Sequence, residues 1–133
     1  MKTTQVFLIM LVVGFVSCTD YGTSLEESRR RILTSQLWKF QHYIIDGQQV
    51  SYDVTVMYGP NGLYYWFSGY GDPRSGTWEL VNNAQSIVFD RGTRGVSSAV
   101  ILDLSPTRFS MRGTTAGPAD GNVPFEAVLV PAN

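Results

Sequence analysis

From Trp38 to the C-terminus, apolar residues recur with a period of two in short runs, each closed by a turn signal and none separated from the next by a helical pattern. Successive side chains on a strand point to opposite faces, so this periodicity describes strands with one face on a core. The first run alternates Trp38, Phe40, His42 and Ile44 with Lys39, Gln41, Tyr43 and Ile45, and ends at Asp46-Gly47. Seven more follow: Val54 to Tyr58, Leu63 to Phe67, Thr77 to Val81, Ser86 to Asp90, Ser98 to Leu104, Arg108 to Arg112 and Phe125 to Val130. Gly59-Pro60-Asn61-Gly62, Gly71-Asp72-Pro73, Asn82-Asn83, Arg91 to Gly95, Ser105-Pro106 and Gly113 to Gly121 stand between them as turns or loops. Eight short strands with tight links predict antiparallel neighbours in an up-and-down barrel or a sandwich. Closure into a barrel also leaves no unpaired edge. Ahead of the strands, Ser24 and Glu27 form a capping-box pattern for a helix of about ten residues. Glu26 with Arg30 and Glu27 with Arg31 are spaced for ion pairs, and Leu25, Ile32 and Leu33 are expected to share the core-facing side.

The first seventeen residues have a different character. Lys2 precedes an apolar stretch from Val6 to Val16, and Ser17 is the small residue before Cys18. That is the order of a secretory signal, and the stretch is well short of the roughly 20 apolar residues needed to span a bilayer. Phe15-Val16-Ser17-Cys18 resembles the lipobox of bacterial lipoproteins. The resemblance implies cleavage after residue 17 and acylation of Cys18, with residues 18–23 as a short tether to a single domain over 24–133. Cleavage by an ordinary signal peptidase, leaving a plain thiol, is the alternative. Cys18 is the one cysteine in the chain, so no disulfide stabilises the domain.

The charge balance excludes some partners. Removing Lys2 from ten basic residues leaves nine against eleven acidic ones, with no footprint for nucleic acid. Arg29-Arg30-Arg31 is the one basic run; it reads as a solvated helix face, or as a contact for anionic headgroups near the anchor. Catalysis is poorly provided for. His42 is the single histidine, and Asp46, Asp53, Asp72, Asp90, Asp103 and Asp120 are scattered over turns and strand ends. No triad, metal site or carboxylate pair is expected, and no cofactor.

Aromatic residues are the most suggestive feature: Tyr58, Tyr64, Tyr65, Trp66, Phe67, Tyr70 and Trp78 crowd two strands and their loop. Alternation places Tyr64 and Trp66 on one face, with Leu63, Tyr65 and Phe67 on the other. If Trp78 and Leu80 point inward, the same phase puts Ile87, Phe89, Val100, Leu102, Leu104, Phe109 and Met111 inside.

Leu33-Thr34-Ser35 leading into Trp38-Lys39, the Tyr58 to Gly62 turn with Tyr64 and Trp66, Gly76-Thr77-Trp78-Glu79-Leu80, and Leu104-Ser105-Pro106-Thr107-Arg108-Phe109 together resemble the lipocalin-like domains of small Gram-negative lipoproteins. The resemblance covers most of the mature chain; Gln36 stands where true lipocalins usually have Gly before the first-strand Trp. It implies an eight-stranded up-and-down antiparallel barrel with a short N-terminal helix, anchored by lipid in the bacterial cell envelope, on the outer membrane facing the periplasm. The function that follows is non-enzymatic binding of a small apolar or amphipathic ligand. Trp38, Phe40, Trp66, Trp78, Phe109 and Met111 are the candidate walls, and His42 and Tyr64 the orienting polar groups. A barrel of this size can also be packed solid. In that case the outer aromatics around Tyr65, Phe67 and Tyr70 become a contact surface for an envelope protein or a glycan.

Overall fold

The computed structural model describes residues 24–69, 73–116 and 121–132. The leader, Cys18, the tether, Tyr70, Asp72 and Asp120 lie outside the described residues. The chain forms one helix, α1 (Ser24–Thr34), then β1 (Leu37–Ile45), a two-residue β2 (Gln48–Gln49), β3 (Val54–Tyr58), β4 (Leu63–Ser68), β5 (Arg74–Val81), β6 (Ser86–Phe89), β7 (Ser97–Ser105), β8 (Arg108–Ala116) and β9 (Asn122–Pro131). Every pairing is antiparallel between neighbours in order, and β1 also pairs with β9 along most of its length. The sheet therefore closes on itself as an eight-stranded barrel, with β2 folded back on β1 through the Asp46-Gly47 turn.

The helix docks at one end. Leu33 is wholly buried and Ile32 packs beside the core, whereas Leu25, expected on the same side, is 43% exposed. Leu25 lies in the first turn, beyond the reach of the barrel rim. Glu26 and Arg30 form the expected pair at 3.7 Å, and the Arg30 guanidinium also lies over the Trp78 ring at 5.2 Å. Arg29 donates to the Ala84 carbonyl on the β5–β6 turn. Two of the three arginines thus fasten the helix to the barrel.

Beneath the helix the barrel is sealed. Trp38, Phe109, Leu33, Ile87 and Leu129 are the largest fully buried side chains. Trp38 donates its indole N–H to the Leu33 carbonyl at 3.1 Å, satisfying a helix-end acceptor that would otherwise be orphaned. Trp78 donates to Gly59 and Leu63, tying β5 to the β3–β4 turn.

Two irregularities redirect side chains that simple alternation had placed elsewhere. The β1–β9 register shifts between Phe40 and His42, leaving Gln41 as an extra residue. Beyond it Tyr43 packs on the core and His42 lies on the opposite face, against the expectation for His42. A second shift between Ile101 and Asp103 bulges Leu102 out of the β7–β8 ladder. Ala99 and Ile101 face inward before it and Leu104 after it, while Val100 and Leu102 are 54% and 52% exposed, contrary to the predicted phase. One inserted residue reverses the in–out phase of a strand, so no period-two reading carries across it.

Candidate functional site

Above the sealed base the strands diverge around a cavity of about 260 Å³. Phe40, Tyr64, Trp66 and Met111, all candidates from sequence, line it. Trp38, Trp78 and Phe109 do not: they fill the base beneath. Trp38 meets Phe109 edge-on at 6.1 Å, and Tyr58 meets Trp78 and Phe109 in the same manner at 5.6 and 6.3 Å. The candidate wall thus divides into a floor and a lining. His42 belongs to neither; it lines an adjoining groove with Lys39, Gln41 and residues 49–54, which shares Phe40, Tyr43 and Tyr52 with the cavity.

The lining has members that periodicity missed. Tyr43 and Tyr52 stack at 5.2 Å, Phe40 meets both edge-on, and Trp66 and Phe125 extend the cluster. Tyr43 is hidden from a sequence reading by the bulge before it, and Tyr52 by its place outside any regular strand. Val56, Phe89, Ser97 and Thr115 complete much of the remainder.

The principal polar group is Asp90. Its carboxylate accepts from the Tyr64 hydroxyl at 2.6 Å and from the Thr77 amide at 3.1 Å. Asp90 has left the strand with φ of 55°, which turns its side chain back over the barrel end; non-glycine residues adopt that region seldom, Asp and Asn most readily. Gly76 makes the contact possible. It faces Tyr64 in the β4–β5 ladder, and a Cβ there would lie 2.6 Å from the Tyr64 ring and inside the Asp90 carboxylate. The missing side chain is the notch through which Tyr64 crosses β5 to reach Asp90. On the adjoining strands, where Ser97 pairs with Phe89, the Ser97 and Thr115 hydroxyls bond each other at 2.7 Å.

Burial dominates the tyrosines. It raises the Tyr58 phenol far above its ordinary value, with a smaller contribution from Tyr64. Tyr64 is also raised, first by burial, then by its hydrogen bond to Asp90 and that carboxylate's charge, with a smaller contribution from Tyr52. Tyr43 and Tyr52 are raised by burial too, Arg74 partly opposing the rise at Tyr52. Such a tyrosine keeps its proton in the barrel but loses it from the unfolded chain near pH 10. The resulting stabilisation is fully present below about pH 10 and lost as pH climbs through the higher folded values. Urea midpoints are therefore expected to fall steadily above about pH 10, phenolate absorbance rising together with unfolding. A midpoint flat across that range would contradict the placement of these rings.

Among the described residues, no three His, Cys, Asp or Glu side chains come together as a metal site.

No protein-family model matches the chain, and no curated protein does. Among solved structures it is similar to bovine odorant binding protein in complex with a selenium-containing odorant, with a TM-score of 0.54 over 78% of this chain and 73% of that one. The barrel is lipocalin-like. At 12% identity the similarity is one of fold, so within this lipocalin-like barrel the cavity must be read from its own residues.

Proposed function

We propose that this protein is a non-enzymatic binder of a small apolar or amphipathic molecule, held in the cavity above Trp38 and Phe109. The observation that carries the reading is the 260 Å³ space itself, walled by aromatic side chains and supplied with one convergent polar pair, Tyr64 and Asp90. Ligand sites combine apolar walls with a few placed polar groups, and span about 300–1,000 Å³. This one lies just below that range, which suits a compound of one or two rings better than a long acyl chain. The bovine barrel of this fold holds a selenium-containing odorant, which is consistent with that reading.

The test is direct. The full chain, purified in detergent, is examined by native mass spectrometry for a co-purified molecule and titrated with ethylbenzene and 2-phenylethanol. Val56 is 5% exposed and lines the cavity, so Val56→Phe adds bulk where the ligand would sit. Binding of both probes is expected to weaken by about tenfold or more, with the circular dichroism of the barrel retained. Undiminished binding would remove the cavity from consideration.

The proposal includes the address. The leader and the Phe15-Val16-Ser17-Cys18 pattern support a domain held on the bacterial envelope by lipid on Cys18, facing the periplasm. Cys18→Ala is expected to abolish metabolic palmitate labelling and move the protein out of the membrane fraction; labelling that persists would refute the anchor.

A second reading rests on the outside of the barrel. Leu37, Met57 and Tyr65 are successive cross-strand neighbours on β1, β3 and β4, and Leu37, Met57 and Phe67 are all exposed. Exposed apolar patches mark contact surfaces. If the cavity takes no probe, this face becomes the candidate for an envelope protein or a glycan.

A further inference from the structure

The cavity's polar groups are not neutral as to what they bind. Asp90 is a carboxylate with no proton to give, and both of its oxygens keep acceptor capacity after taking the Tyr64 hydroxyl and the Thr77 amide. Tyr64 spends its single hydrogen on Asp90, so toward the cavity its oxygen offers only a lone pair. The Ser97 and Thr115 hydroxyls share one hydrogen between them and leave one free. Tyr43, Tyr52 and Tyr58 bring further hydroxyls to the wall, but Asp90 and Tyr64 together form a single acceptor unit that Gly76 allows to exist. A ligand that brings an acceptor to this unit would set like against like. One that brings a donor completes the set.

The aromatic walls add to the same preference. Ring faces attract cations, and the exposed Arg74 guanidinium already lies over Trp66 at 5.8 Å. Arg74 is not among the residues that line the cavity, so among the described residues Asp90 is the one formally charged side chain on its wall.

Building on the cavity reading above, we infer that the preferred ligand is a small aromatic amine in its protonated form, its ring among Tyr43, Tyr52 and Trp66 and its ammonium on Asp90 and the Tyr64 oxygen. Charge-assisted hydrogen bonds are the stronger kind, and an aromatic wall excludes the water that would weaken them.

Four isosteric probes separate this inference from the cavity reading on which it rests: 2-phenylethylamine, 2-phenylethanol, ethylbenzene and phenylacetate, titrated calorimetrically into the full chain in detergent. The amine is expected to bind about tenfold or more tighter than ethylbenzene, with phenylacetate weakest. Asp90→Asn keeps an acceptor for the Thr77 amide and tolerates the left-handed backbone. It is expected to bring the amine level with the neutral probes measured on the same variant. Equal affinities for amine and ethylbenzene in the unmodified protein, or an amine preference surviving in the Asp90→Asn variant, would overturn the inference and leave the cavity reading standing. If none of the four binds, both fail together.

Discussion

Trp38→Ala is expected to destabilise the barrel by about 3–5 kcal/mol, the range for removing a large aromatic side chain from a core. A domain of this kind is stable by about 5–15 kcal/mol in total, so the variant stands at the edge of folding at ambient temperature. Three losses combine. The indole is 0% exposed, and buried aromatics remove about 150–250 Å² each from water. Its edge contact with Phe109 disappears, leaving a void at the narrow end of the barrel where strands cannot collapse inward without breaking the β1–β3 and β1–β9 ladders. The Leu33 carbonyl then loses its partner at the end of α1. Trp38→Phe separates these losses, restoring most of the bulk but not the N–H, and is expected to cost about 1–3 kcal/mol, the penalty of an unmet buried acceptor. Urea unfolding of the three proteins is the measurement. A loss under about 1 kcal/mol for Trp38→Ala would mean that the base is not sealed as described.

Gly113→Ala is the second large effect, and it acts by addition. Gly113 pairs with Ala99 on β7 and Phe125 on β9. A Cβ there would run into the Ser98 carbonyl oxygen and lie 2.6 Å from the Ala99 Cα and 2.7 Å from the Ser98 carbonyl carbon. These are backbone atoms, with no flexible end to swing aside. The single methyl can be admitted only by parting β7 from β8, in the middle of a closed barrel. Overpacking typically costs about 1–3 kcal/mol and occasionally more; the immobility of the obstructing atoms puts this case at the upper end. Thermal unfolding and amide exchange across β7 and β8 would show it, with protection lost first near residues 98–99 and 111–113. A melting temperature unchanged by the methyl would refute the close approach. Gly76→Ala offers the contrast: its obstacles are the Tyr64 ring and the Asp90 carboxylate, which can rotate away. Its loss should fall on the Tyr64–Asp90 pair, hence on the cavity, more than on the fold.

Most of the barrel is legible in the sequence, because its strands are individually short and each carries its own turn signal. The runs at Val54 to Tyr58 and Leu63 to Phe67 coincide with β3 and β4 to within a residue. Others extend beyond the apolar runs: β5 begins at Arg74 rather than Thr77, and β8 continues to Ala116 past Arg112, since Gly and Thr weaken the apolar pattern without interrupting the ladder. Tyr64, Trp66, Phe40 and Met111 line the cavity. The separation of floor from cavity was not legible. Trp38 and Phe40 share a face two residues apart, and nothing local distinguishes the one that plugs from the one that lines. Depth along the barrel axis depends on strand stagger and on where α1 docks.

What the sequence by itself determined is the eight barrel strands, their antiparallel order and the majority of the inward residues, since a period of two and a turn chemistry are properties of a few neighbouring residues at a time. Only the tertiary structure decided the rest. The bulges at Gln41 and Leu102 turned His42, Val100 and Leu102 outward and Tyr43 inward, because an extra residue is defined only against the strand it faces. The meeting of Tyr64 with Asp90, 26 residues apart, required β5 between them to carry a glycine at one register position. Register is a relation between strands, and the site's chemistry resides in that relation.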